Sequence, residues 1–265
     1  MLANIEGMRR IHAFEFNDLS WFPESFRDYQ TDYLQFVANK FDMYQQVLPV
    51  IKRGILSSGN NTIIDIASGG GGGLLKIAEH LKDSFPQIKI ILTDYYPNID
   101  AFKKTKAKRP DVFEYIEDSV NATKVPPNLK GFRTQFLSFH HFRPKDAKAI
   151  LQNAVDTNQP IGIFEAQQRN IKDVAQKFLS PISVLLLTPF VKPFTLKRLL
   201  FTYLIPVLPV FTLWDGIVSV LRTYNVPELK QMIMELRNNA NFDWEVDIVK
   251  GKSFDIPYLL GTPVK

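Results

Sequence analysis

The sequence predicts a doubly wound α/β fold. Its parts are a mostly parallel seven-stranded sheet, N-terminal helices, a helical apolar cap insertion and an antiparallel C-terminal hairpin. Three observations predict it. Short apolar runs alternate with helical stretches over residues 61–168, the pattern of a parallel sheet covered on both faces. Five of the 13 glycines form one run, Gly69 to Gly73, between the first apolar run and the first following helix. Residues 169–240 then break the alternation with two long uncharged stretches. With 265 residues, 45% hydrophobic and 22% charged, the chain is ordinary globular material of about one large domain.

Residues 1–60 read as mostly helical. Tyr33, Leu34, Val37, Phe41, Tyr44, Val47, Leu48 and Ile51 recur at three-and-four spacing, which places them on one helix face. The turn cluster at 57–61 ends this segment. The early aromatics Phe14, Phe16, Trp21, Phe22, Phe26 and Tyr29 read as packing. No apolar run of signal-peptide length opens the chain, so a cytoplasmic location is the expectation.

Within 61–168 the strand candidates are TIIDIA (62–67), IKIILTD (88–94), VFEYIED (112–118), GFRTQFLSFHHF (131–142) and PIGIFEA (160–166). Helices are expected over 74–85, after residue 94 and over 145–157. In 169–240 the uncharged stretches are 178–191 and 199–214, with Lys192, Lys197 and Arg198 between them. Neither reaches the about 20 residues of a spanning helix, and Pro206 and Pro209 interrupt the second. The stretch reads as a buried cap or as an apolar lid touching a membrane surface, its cations at headgroup level. Residues 241–265 return to strand character as a hairpin on the sheet edge.

The absence of cysteine excludes disulfides, thiolate nucleophiles and Cys-based metal sites. The four histidines, His12, His80, His140 and His141, show no HxxxH spacing, and no metal is expected. The net charge of +5 is modest. The cluster Lys103, Lys104, Lys106, Lys108 and Arg109 reads as a solvated helix face, and no nucleic-acid partner is expected.

The segment IDIASGGGGG (64–73) carries the strongest chemical signal. Glycines here let the backbone approach a ligand and adopt positive φ, and the helix start offers free N–H groups. No glycine follows three residues after any G-x-G pair, so the dinucleotide pattern is missing. Asp65 precedes the glycines, where a carboxylate repels phosphate and attracts a cation.

With Asp65, Gly69 and Gly71 after the first strand, Asp94 closing the second, Asp118 after the third and FLSFHHF after the fourth, the sequence resembles the class I S-adenosylmethionine-dependent methyltransferase family over roughly residues 60–168. Ala67 stands where that family usually has its first glycine. The resemblance implies a Rossmann-like fold with S-adenosylmethionine as cofactor. It places Asp65, Ala67, Ser68, Gly69 and Gly71 around the cofactor, Asp94 on the ribose hydroxyls, Tyr95 on the adenine face, Asp118 and Ser119 at the adenine edge, and Ser138 beside the methionine part.

Methyl transfer needs in-line geometry and a dry site, and a hydroxyl acceptor also needs a base. His140 and His141 are candidates beyond the fourth strand, and Glu165 at the end of the fifth. In the insertion, Trp214, Asp215 and Arg222 read either as an internal ion pair between the last two or as a set orienting a substrate's polar end. Glu15, Asp18 and Arg27 form a comparable set in a segment expected to close over the cofactor. The expected activity is O-methylation of a small or lipid-like apolar acceptor, with possible peripheral membrane contact through 178–214. The alternative is a non-catalytic S-adenosylmethionine-binding or membrane-associated module.

Overall fold

Each of the five apolar runs forms a parallel strand in a computed structural model that describes residues 8–251 and 254–264. The first seven residues of the N-terminal segment, Lys252 and Ser253 of the hairpin link, and Lys265 lie outside the described residues. The strands are β1 (Thr62–Ile66), β2 (Lys89–Thr93), β3 (Phe113–Tyr115), β4 (Phe132–Phe136) and β5 (Ile161–Phe164). β6 (Phe242–Val249) and β7 (Ile256–Pro263) pair antiparallel, and β7 runs antiparallel to β5. The sheet order is β3-β2-β1-β4-β5-β7-β6. Strand order therefore reverses between β1 and β4, where open α/β sheets bind ligands beyond their carboxyl ends.

Helices α1 (Glu24–Lys40), α2 (Leu48–Ser58), α3 (Leu74–Leu81), α4 (Ile99–Lys108) and α5 (Pro144–Asp156) surround the parallel half. Alternating strand residues supply two cores. Ile63, Ile90, Phe132 and Phe164 pack with Ile51, Ile55, Ile77 and Leu81 on one face. Ile64, Ile66, Ile161 and Ile163 pack with Ile150, Leu151 and Ala154 on the other. Buried on both faces, these strands read as continuous apolar runs rather than alternating ones. The basic cluster lies on α4, where Lys106 meets Glu114 at 2.5 Å and Arg109 meets Asp111 at 3.2 Å.

The insertion contributes α6 (Ile171–Lys177), α7 (Ser180–Leu187), α8 (Leu196–Leu199), which widens into a π turn over Leu200–Leu204, and α9 (Val207–Arg222). Pro206 and Pro209 stand at the start of α9, where the first-turn N–H groups have no intrahelical partner. The chain bends by 77° between Leu196–Leu204 and Val207–Arg222, and among the described residues no single helix is long and apolar enough to cross a membrane. Next comes α10 (Val226–Met234). Leu229, Met232 and Ile233 of this helix join the core with Ile64 and Ile161. The span 169–240 thus holds a sheet-covering helix as well as the cap.

Gly54 of α2 and Gly162 of β5 both face the buried ring of Phe132. A Cβ would fall 2.3 Å and 2.5 Å from its atoms, respectively. Gly54→Ala is therefore expected to destabilise the protein by about 1–3 kcal/mol through overpacking. A thermal melt checks this; an unchanged melting temperature contradicts the packing described.

Candidate active site

The turn after β1 is built for close approach. Ala67 (φ 60°), Gly69 (φ 54°), Gly71 (φ 89°) and Gly72 (φ 44°) all have left-handed backbone. Ala67 thus adopts the conformation for which glycine is the unstrained choice. Leu137, just beyond β4, is also left-handed at φ 50°. Two non-glycine residues of this kind at the switch point mark a constrained site. Helix α1 braces the turn: Asn39 Nδ2 donates to Gly72 O at 2.7 Å, and Gln35 Nε2 donates to Gly70 O.

Asp65 is buried and accepts from Thr134 Oγ1 at 2.7 Å. Burial pushes its carboxyl up to about 7, against the Thr134 and Ser68 hydrogen bonds, and Asp94 adds to the rise. Ser68 lies between β1 and β2: its hydroxyl donates to Asp65 O at 2.9 Å and its amide to Thr93 O at 3.0 Å. Asp94 accepts from the amides of Gly69 and Tyr96, both at 2.9 Å. Burial also pushes Asp94 upward, opposed by those amides.

Ser119 Oγ donates to Tyr95 O at 2.7 Å, and Val120 N donates to Asp94 O at 2.8 Å. These bonds tie the loop after β3 to the loop after β2. Asp118, Ser119 and Tyr95 are exposed. Ser138 Oγ is buried with no hydrogen-bond partner.

At the tips of β4 and β5, Glu165 does two things. One oxygen accepts from Phe139 N at 2.8 Å and His140 N at 3.3 Å; the other accepts from His140 Nδ1 at 2.8 Å. A carboxylate only accepts, so Nδ1 carries the imidazole proton. Ser219 Oγ lies 2.9 Å from His140 Nε2 and accepts from Gln167 Nε2 at 2.6 Å, so its own proton goes to Nε2. His140, Glu165 and Ser219 are all buried.

His141 Nδ1 donates to Asp18 Oδ1 at 2.9 Å, and its side chain is 32% exposed. Burial alone would lower its pKa. Glu15 and Asp18 outweigh that and hold it up at about 9. Buried Glu15 lies 3.8 Å from His140 Nε2 and 3.7 Å from His141 Nε2. Among the described residues, Glu15, His140 and His141 are the one group placed to hold a metal ion, their donor atoms all within 4.8 Å of one another.

The proposed Asp215–Arg222 ion pair is not formed. Arg222 instead holds Glu15 at 3.0 Å, Asp18 at 2.5 Å and the carbonyl of Ala13 at 2.8 Å. Asp215 accepts from the amides of Phe16 at 2.7 Å and Asn17 at 3.3 Å, and Trp214 Nε1 donates to Phe14 O at 3.0 Å. These three side chains fasten the N-terminal segment onto α9. Residues 16–18 form a single 3-10 turn rather than a closing helix. Arg27 donates to the carbonyls of Asn17 and Leu19.

Sequence reasoning missed Ser219, and it missed Glu15 as the residue between the two histidines. The available signal was a stripe on α9: Asp215, Ser219 and Arg222 recur at four and three residues, one helix face in an apolar helix. Lys177 was also missed. Its stem lies 3.3 Å from the Cβ position of Gly216. Burial lowers its pKa, against attraction to Asp173, Glu165 and Glu15.

No protein-family model and no curated protein matches the sequence. Solved structures do share the fold. An O-methyltransferase family protein from Burkholderia thailandensis superposes with a TM-score of 0.51 at 14% identity, covering 90% of this chain and 60% of its own. Magnesium protoporphyrin IX methyltransferase from Synechocystis PCC 6803, crystallised with bound S-adenosylmethionine, gives 0.51 at 8% identity, covering 96% and 100%. The chain spans less than two thirds of the Burkholderia protein's length. These likenesses establish the methyltransferase-type Rossmann-like fold.

The ion pairs at His141 carry a testable pH dependence. Its folded pKa of about 9 lies above the ordinary 6.5. Its stabilisation is therefore complete below pH 6.5 and lost as pH rises through about 9. In chelator-washed protein, the melting-temperature gap between wild type and His141→Gln is expected to be widest near pH 6 and to close by about pH 10. A gap that widens with pH contradicts the assignment.

Proposed function

We propose that the chain is an S-adenosylmethionine-dependent methyltransferase that methylates an oxygen of a small, lipid-like apolar acceptor. The observation that carries this reading is the convergence at the β1–β4 switch point. A left-handed glycine turn, the buried carboxylate of Asp65, the half-buried one of Asp94 and the Glu165–His140 pair all stand at neighbouring strand tips. The methyl donor of the Synechocystis structure carries an ammonium and a sulfonium but no phosphate. Such a cation suits a turn preceded by a buried aspartate that has no cationic partner. Asp94, with two backbone amides on its carboxylate, keeps lone pairs free for a diol.

The residues then divide the work. Ala67 to Gly72 bring backbone amides against the donor, and Ser138 Oγ is a free buried polar group beside it. In the transfer, the methyl–sulfur bond breaks as the oxygen–methyl bond forms, and the sulfonium becomes a neutral thioether. Orienting that displacement supplies about 7–11 kcal/mol of the barrier. The proton leaving the acceptor hydroxyl, whose pKa is near 10 for a phenol, is taken up at His140 Nε2, where it displaces the Ser219 hydroxyl. Glu165 fixes the tautomer of His140, so that Nε2 presents a lone pair.

The cap supports an apolar acceptor met at a membrane surface. No acidic residue lies between Asp173 and Asp215, whereas Lys177, Lys192, Lys197 and Arg198 do. Leu186 is 67% and Leu204 77% exposed, with Phe178, Leu179, Ile182, Phe190, Phe194 and Leu196 also exposed. A patch this rich in apolar groups, with Lys192 and Lys197 exposed beside it, fits an anionic bilayer; Arg198, expected at headgroup level, is instead buried against Asp32.

Isothermal titration is expected to show S-adenosylmethionine binding that strengthens as pH rises through about 7, where Asp65 ionises. Asp94→Ala should weaken it at least about tenfold, the loss of charged hydrogen bonds of about 1.5–3 kcal/mol. No binding at millimolar cofactor ends the proposal. Glu165→Gln should lower kcat more than KM. In liposome flotation at low salt, the wild type should rise with anionic vesicles, and Leu186→Glu/Leu204→Glu should stay below. Flotation equal in both, or in neither, removes the membrane part.

A further inference from the structure

We infer that Glu15, His140 and His141 form a binding site for one divalent transition-metal ion, with at least one coordination position open to an external oxygen ligand. Three independent features of the cluster point to this.

The first is the spacing. Glu15 Oε1 is 3.8 Å from His140 Nε2, and Glu15 Oε2 is 3.7 Å from His141 Nε2. Two ligands on one ion with bonds of about 2.1 Å stand at most about 4.2 Å apart. Both separations fit, and the full set, within 4.8 Å, closes with a small side-chain adjustment.

The second is orientation. Each imidazole gives its Nδ1 proton to a different carboxylate, His140 to Glu165 and His141 to Asp18. Both Nε2 atoms thereby face Glu15, and His141 exchanges its Nε2 proton for the ion on binding. A carboxylate behind each metal-binding histidine is how proteins fix tautomer and ring angle for an ion. His140 Nε2 exchanges the Ser219 hydroxyl proton for the ion on binding.

The third is an unmet buried group. Glu15 is 3% exposed, and its Oε1 makes no hydrogen bond; Arg222 Nη1 lies 3.0 Å away, shared with Asp18. Three carboxylates, Glu15, Asp18 and Glu165, surround the two imidazoles, and a divalent ion adds positive charge where they converge. Two nitrogens and one carboxylate suit zinc, iron, manganese or nickel.

What the ion does rests on the methyl-transfer reading and replaces its proton-acceptor step: with His140 Nε2 on the ion, the acceptor oxygen binds as its anion at neutral pH and its proton goes to solvent. Whether it binds does not rest on that reading. The test titrates tag-free, chelator-washed full-length protein with Co2+ and follows the visible d–d absorption. The expected result is saturable binding of one ion per chain, reversed by chelator. Affinity should fall at least tenfold in Glu15→Gln and in His141→Ala, and stay unchanged in His12→Ala and His80→Ala. X-ray absorption of the wild-type Co2+ protein should show two imidazole ligands, a readout that needs no variant to fold. Absence of one-to-one binding, binding indifferent to Glu15→Gln in folded protein, or a spectrum without imidazole overturns the inference. A chain that binds S-adenosylmethionine but not Co2+ keeps its proposed function and loses this site. One that binds Co2+ but not S-adenosylmethionine does the reverse.

Discussion

Glu165 is the constraint on which the site depends. Its carboxylate sits at the end of β5 and takes the amides of Phe139 and His140 on one oxygen, the imidazole of His140 on the other. Buried carboxylates survive only when their lone pairs are met, and here the same group meets that need twice. It fixes the backbone just beyond β4, next to the left-handed Leu137, and it fixes the ring that this backbone carries. Removing the acid would free two buried amides and an imidazole together, a cost larger than one hydrogen bond.

The opposite wall comes from far away in sequence. Arg222 ends α9 and reaches the carboxylates of Glu15 and Asp18 and the carbonyl of Ala13. A buried ion pair of this kind contributes little net stability, but loss of one partner costs about 3–5 kcal/mol. Its effect is therefore positional: the N-terminal segment lies where α9 dictates, and Glu15 stands between the two histidines. Phe16, Phe22 and Phe211 close over this junction, with ring centres 4.5 Å apart for Phe16–Phe211 and 5.1 Å for Phe22–Phe211. Packing and charge agree on one docking geometry.

Much of the fold was legible because it is local. The runs at 62–67, 88–94 and 160–166 became β1, β2 and β5 almost residue for residue, and the glycine run announced the turn between β1 and α3. Asp65 and Asp94 were legible as acids at strand ends. What failed was long-range and polar. Asp215 and Arg222 are seven apart on one helix, and nothing local says that each has a partner some 200 residues earlier. The segment 226–234 has the periodicity of a cap helix and of a sheet-covering helix alike; only Leu229 and Ile233 against Ile64 and Ile161 separate them. The pair His140–His141 announces no ligand spacing, because its third member arrives through the tertiary fold.

Helix α9 finally explains why one insertion carries both a greasy surface and charged chemistry. Asp215, Ser219 and Arg222 face inward on a single stripe, while Val210 and Trp214 remain 58% and 40% exposed elsewhere on the helix. Its polar face needs the N-terminal segment, Gln167 and His140 to satisfy it. Its apolar side is covered in part, with Phe211 packed on Phe16 and Phe22, while Val210 joins exposed side chains of α7 and the segment 194–205 outside. An amphipathic helix normally turns only its apolar face to the core; α9 turns a polar stripe inward as well as Leu208, Val218 and Val220. That stripe is stable because Asp215 is met by the amides of Phe16 and Asn17 and Arg222 by Glu15 and Asp18. One helix thus joins the histidine cluster on its inner side, through Ser219, to exposed apolar side chains on its outer side.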